Sequence, residues 1–120
     1  MDTKLYDSEL KVMEILWEKK SITAKEISLI LAETIGWNKN TTYTIIKKLI
    51  DKRIIERTEP NFVCTPLVEK ADIQSAETNN LIDRLYSGSK KMFFAAFLQN
   101  EKLSKEEIEV LKRLIDKSGE

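Results

Sequence analysis

The stretch NKNTTYTIIKKLIDKR, Asn38 to Arg53, decides the fold. Read as one helix, it gathers Thr42, Ile45, Ile46 and Leu49 on one face with Ile50 at its border, and sets Asn40, Thr44, Lys47 and Asp51 on the opposite face. One side can dock on a core while the other is free to touch something else. The amide, hydroxyl and lysine groups there, flanked by Thr41, Tyr43 and Lys48, suit the hydrogen-bonding edges of bases and the oxygens of phosphates. An ordinary amphipathic helix with a solvated face has the same pattern, so the neighbouring segments must decide.

Upstream, Asp7 or Ser8 can cap a first helix that runs to Lys19, with Glu9 suited to the positive end of its dipole. Leu10, Met13, Ile15, Leu16 and Trp17 give this helix a wide apolar face, and a tryptophan among aliphatics at helical spacing is scaffold. Ser21-Ile22-Thr23 breaks the pattern. Thr23 and Glu26 form a capping box for a second helix from Ala24 to about Thr34, which Gly36 ends; Ile22 can staple against Ile27. Asn38 caps the third helix. Three helices with connections this tight predict a helix-turn-helix, the third being the reader, although a plain three-helix bundle has a similar pattern.

Downstream, Ile54–Arg57 and Phe62–Thr65 are short β-prone runs around the turn sequence Thr58-Glu59-Pro60-Asn61. A hairpin directly after the reader makes the unit a winged helix, with Arg57 either a phosphate clamp or a solvated rim residue. Cys64 reads as a small buried apolar residue of the second strand. From about Glu69 the pattern is helical again: a fourth helix to Ser87-Gly88, a fifth capped by Ser89, and a sixth opened by the capping box Ser104 and Glu107. The expected fold is therefore mainly α: a winged-helix domain at residues 1–66 and a three-helix region at 67–120.

Within the fifth helix, Met92 to Leu98 is seven contiguous apolar residues, which must be covered on several sides. Each large side chain moved from water to a partner contributes roughly 1.5 to 3 kcal/mol before association costs. A second copy of the chain is the expected cover, with Ile73, Leu81, Leu85, Tyr86, Phe93, Phe94, Phe97, Leu98, Leu111 and Leu114 as dimerisation residues. The other reading is a C-terminal bundle that packs on its own winged helix.

Composition narrows the function classes. The chain has 120 residues, 20 basic and 20 acidic, and no histidine. Zero net charge means that nucleic-acid binding must rest on local charge; Lys39 to Arg53 holds five basic residues against Asp51 alone. With Cys64 the single cysteine, no intrachain disulfide can form, and the usual zinc ligands are missing. No nucleophile with a base, no glycine-rich phosphate loop and no set-apart carboxylate pair points to an enzyme, a metal or a cofactor. The N-terminus lacks a signal-peptide pattern and no segment has the length of a membrane span, so a cytoplasmic protein without membrane insertion is expected.

The residues Glu9-Leu10-x-x-Met13-x-x-Leu16-Trp17, Trp37-x-x-x-Thr41-x-x-Thr44, Leu49-x-x-Lys52, Thr65-Pro66, Leu81-x-Asp83-Arg84-Leu85-Tyr86-x-Gly88-Ser89 and Ala95-Ala96-Phe97-Leu98 resemble the penicillinase-repressor family of BlaI/MecI/CopY-like winged-helix transcriptional repressors. The resemblance covers nearly the whole chain. It implies a homodimeric repressor on a palindromic DNA operator, controlling β-lactam resistance genes or a related stress response. Release would come by a signalling protease or by weakening of the dimer.

By that likeness Thr41, Thr44 and Lys48 match reading-helix positions; the helix-face argument adds Asn40, Tyr43 and Lys47, Asn38 and Lys39 at the start of the helix are DNA-binding candidates beside them, and the wing adds Arg57. The chain departs from the family at Tyr6, where a small hydroxyl cap is common, at Arg53, where glycine is usual, and in a shorter wing. The bond matching the family's cleavage site is Ala96-Phe97, without the family's asparagine. The cysteine-rich tail of the copper branch has no counterpart, so copper sensing through such a tail is not expected. The alternative function is a winged-helix protein-interaction adaptor without sequence-specific DNA binding.

Overall fold

The computed structural model describes residues 4–119; the remaining residues, which entered the sequence reading through the signal-peptide pattern and the chain's last positions, lie outside them. The elements run α1 (Asp7–Lys19), β1 (Ile22–Thr23), α2 (Ala24–Ile35), α3 (Lys39–Asp51), β2 (Ile55–Thr58), β3 (Val63–Pro66), α4 (Lys70–Tyr86), α5 (Lys90–Asn100) and α6 (Lys105–Ser118). Two compact units divide the chain, one up to Thr78 and one from Asn79.

In the first unit α3 packs on α1 and α2. The apolar positions expected to face inward do so: Ile46 and Leu49 are fully buried, with Ile45 and Thr42 beside them, against Val12, Met13 and Leu16 of α1 and Ile27 of α2. Trp17 is scaffold, its indole Nε1–H donating to the Val68 carbonyl at 3.0 Å. The unit extends past the wing because the start of α4 belongs to its core: Ile73 is 3% exposed within the apolar cluster, and the Leu5 N–H donates to Glu77 Oε1 at 3.3 Å.

The wing is a three-stranded antiparallel sheet of order β1-β3-β2, not a lone hairpin. Ile22 pairs with Cys64 and Thr23 with Val63, and the Ser21 and Thr65 hydroxyls meet at 3.0 Å. Ile22 thus serves as a buried strand residue in addition to preceding the helix cap. The hairpin strands start one residue later than the β-prone runs. The Ile54 N–H is committed to the Leu49 carbonyl at the end of α3, and Phe62, with φ of 52°, belongs to the turn.

Helix caps account for most boundaries. Asn38, Thr23, Ser89 and Ser104 each accept from a backbone N–H in the first turn of their helix. Thr23 departs from a reciprocal box, since its hydroxyl donates to Glu26 Oε1 at 3.3 Å. At α1 the cap falls on Tyr6, whose phenol makes no capping bond; instead Glu9 reaches back to accept the Tyr6 N–H at 2.8 Å.

The end of α3 falls two residues short of the expected one. The Arg53 N–H donates to Ile50 O at 3.0 Å and the Ile54 N–H to Leu49 O at 2.9 Å, a Schellman motif with Arg53 in the left-handed position at φ of 62°. A side chain there is strained, whereas glycine is not. Arg53→Gly is therefore expected to raise the urea midpoint of the first unit, by up to about 1 kcal/mol in stability.

The second unit contains the rest of α4 with α5 and α6. Among its described residues only Ile82 is buried. Its rings touch one another: Phe93 lies edge-on to Tyr86 at 5.5 Å and to Phe94 at 5.2 Å, and stacks with Phe97 at 6.2 Å. Among the described residues, no helix is long and apolar enough to cross a membrane.

Candidate nucleic-acid interface

Two turns of α3 present the candidate site. Asn40, Thr44, Lys47 and Lys48 are exposed and their side chains, among the described residues, make no intrachain hydrogen bond or ion pair. They form a polar, cationic patch on the side of α3 away from the core, free to hydrogen-bond an external partner.

The other sequence-predicted residues are partly committed. Asn38 Oδ1 accepts the Thr41 N–H at 2.8 Å and the Thr41 hydroxyl at 3.1 Å, so cap and first-turn threonine hold each other. Lys39 Nζ lies 5.7 Å from the centre of the Tyr43 ring. Tyr43 is half-buried and meets Phe62 of the wing edge-on at 5.7 Å, which makes it a brace between reading helix and wing. Arg57 is not a free clamp: its Nε donates to Glu59 Oε1 at 2.6 Å, and its guanidinium lies 3.6 Å over the Phe62 ring.

The positive stripe is also shorter than its sequence count. Lys52 turns away to Glu9, its Nζ 2.8 Å from Glu9 Oε1 and 3.3 Å from the Lys4 carbonyl. Glu9 is 1% exposed, so this pair ties the end of α3 to α1 across the core. Neither periodicity nor charge counting singled it out, although Glu9 and Lys52 both belong to the motifs of the family resemblance. That Oε1 accepts the Tyr6 N–H as well, while Oε2 has no partner among the described residues.

The residues expected to dimerise lie mostly on the second unit. Phe94, Phe97 and Leu98 of α5 are 55%, 48% and 43% exposed, and Leu114 and Ile115 of α6 are 56% and 64% exposed. Between α5 and α6 they line an apolar groove, with Leu103, Ile108 and Leu111, of about 720 Å³. Leu111 and Leu85 are exposed, and Leu81, Tyr86 and Phe93 are half-buried. Ile73 is the exception: it belongs to the winged-helix core and offers no surface to a partner.

A tri-helical core, an exposed polar face on the third helix and a three-stranded sheet ending in a hairpin define a winged-helix protein. The chain belongs to the penicillinase repressor family, whose sequence pattern matches residues 5–117. This is a family of transcriptional repressors and not of enzymes. The chain is 34% identical to the methicillin resistance regulatory protein MecI of Staphylococcus aureus, over 98% of this chain and 99% of that one. It is 30% identical to the penicillinase repressor of Bacillus licheniformis, over 94% of this chain and 90% of that one.

Among solved structures, the DNA-binding domain of the repressor BlaI matches with a TM-score of 0.55 at 30% identity, covering 58% of this chain and 88% of that one. The Bacillus licheniformis BlaI monomeric form in complex with the blaP half-operator matches with a TM-score of 0.52 at 31% identity, covering 57% and 87%.

Proposed function

We propose that this protein is a cytoplasmic homodimeric repressor of β-lactam resistance genes or a related stress response, and that it binds a palindromic DNA operator through the exposed face of α3. The observation that carries the reading is the free patch of Asn40, Thr44, Lys47 and Lys48 on a winged helix of this family. A relative of the same fold is bound to a half-operator, which supports duplex DNA as the partner. The exposed apolar residues of α5 and α6 support a second copy of the chain as their cover, and a two-fold dimer presents two reading helices to two half-sites.

Repression then follows from linkage: each subunit makes few contacts, and joining two raises the effective concentration of the second at its half-site. Loosening the tail releases DNA without touching α3. A signalling protease would act on the same element. The Ala96-Phe97 bond lies inside α5, where the Ala96 and Phe97 carbonyls accept from Asn100 Nδ2 and the Glu101 N–H, so cutting there requires local unwinding of the helix.

Selection from a random duplex pool tests the reading. An enriched palindrome is the expected result; the absence of any enriched sequence would favour a protein-interaction adaptor. On the selected duplex, Lys47→Ala is expected to weaken binding evenly across sequences and lower the salt slope by about 1, whereas Asn40→Ala relaxes base preference.

A further inference from the structure

The wing tip carries two hydrogen-bond donors that converge on one carboxylate of the same chain. Arg57 Nε donates to Glu59 Oε1 at 2.6 Å, and the Phe62 N–H donates to Glu59 Oε2 at 3.2 Å. One donor for each oxygen is the arrangement that also accepts two oxygens of a phosphodiester, since both anions present paired oxygens to a fork of donors. The platform beneath is aromatic. The Arg57 guanidinium lies 3.6 Å over the Phe62 ring, and that ring is braced at 5.7 Å by Tyr43 from the reading helix.

We propose that the wing tip is a phosphodiester site which the chain keeps filled with its own Glu59, so that Glu59 sets affinity for nucleic acid by competing with a backbone phosphate for Arg57 and the Phe62 N–H. The source of the phosphate rests on the DNA-binding reading above; the anion site itself does not. The Arg57 and Phe62 donors hold the Glu59 carboxyl below the usual carboxylate range, so the internal anion stays charged at neutral pH. The Arg57 and Glu59 side chains are 44% and 58% exposed, so water screens the pair and an incoming phosphate can replace the carboxylate. While Glu59 is in place the Arg57–Glu59 pair has no net charge to offer; once the carboxylate is displaced, the guanidinium is free to face a phosphate.

The test compares full-length wild type with Glu59→Gln, Arg57→Gln and their double variant on a duplex selected by the wild type. Glu56→Gln removes the same charge from an exposed neighbouring position of β2 and serves as the control. Glu59→Gln is expected to bind about fivefold tighter, with a salt slope steeper by about 1, and the double variant is expected to lose both gains. No gain in Glu59→Gln, a gain that survives Arg57→Gln, or an equal gain in Glu56→Gln would overturn the proposal.

A second readout needs no DNA. Titrating inorganic phosphate into Glu59→Gln is expected to shift the Phe62 amide NMR signal at concentrations that leave the wild type unmoved; identical behaviour of the two proteins would overturn the site. If no duplex is bound by any form, the DNA reading fails while this titration still decides the anion site.

Discussion

Lys52→Met is expected to destabilise the first unit by about 2 to 3 kcal/mol in urea unfolding. Removing the ammonium leaves the Glu9 carboxylate buried with one oxygen already unpartnered among the described residues, and a buried charge stripped of its counterion is costlier than the pair was stabilising. The effect is placed below the full range for buried pairs because the Lys52 side chain is 21% exposed and water screens part of the interaction. The double variant Lys52→Met with Glu9→Leu is expected to recover part of the loss, since it buries no charge but leaves the Tyr6 N–H without its acceptor at the start of α1. An unchanged urea midpoint in the single variant would show that the pair does not hold α3 to α1.

Phe94→Glu combined with Phe97→Glu is the second large effect, and it acts on the other unit. Both rings are about half exposed in the single chain and also pack on Phe93, so circular dichroism of the variant is needed beside sedimentation to show that α5 is still helical. If those rings meet a second copy, four new carboxylates crowd one interface, and the protein is expected to sediment as a monomer at micromolar concentration. Binding to a two-half-site duplex should then fall roughly 10²- to 10⁴-fold through lost effective concentration, while affinity for a single half-site stays unchanged. A variant that still sediments as a dimer would place the contact elsewhere than on α5.

The reading helix was legible because its information is local. Period and capping chemistry alone assign Thr42, Ile45, Ile46 and Leu49 to the core and Asn38 to the cap, and the structure has them there. Ser89 and Ser104 were legible as caps for the same reason. By contrast, β1 is two residues long and too short to show any alternation; only its pairing with β3 reveals it. Lys52 and Glu9 meet although 43 positions apart, and no local pattern encodes such a partner. Arg57 and Glu59 meet beside a turn in which Asn61 and Phe62 adopt positive φ, a conformation that side-chain types alone do not specify. Ile73 looked like tail by its place after the wing, yet its burial ties that turn of α4 to the first unit.

Cys64 sits on the middle strand of the sheet, fully buried, and burial pushes its thiol up to about 11. At neutral pH the sulfur is therefore protonated and shielded, and peroxide or a disulfide reagent is expected to reach it chiefly when the sheet opens. A thiol-directed oxidant thus finds no ready target at Cys64, in contrast to the exposed Met92 thioether of α5.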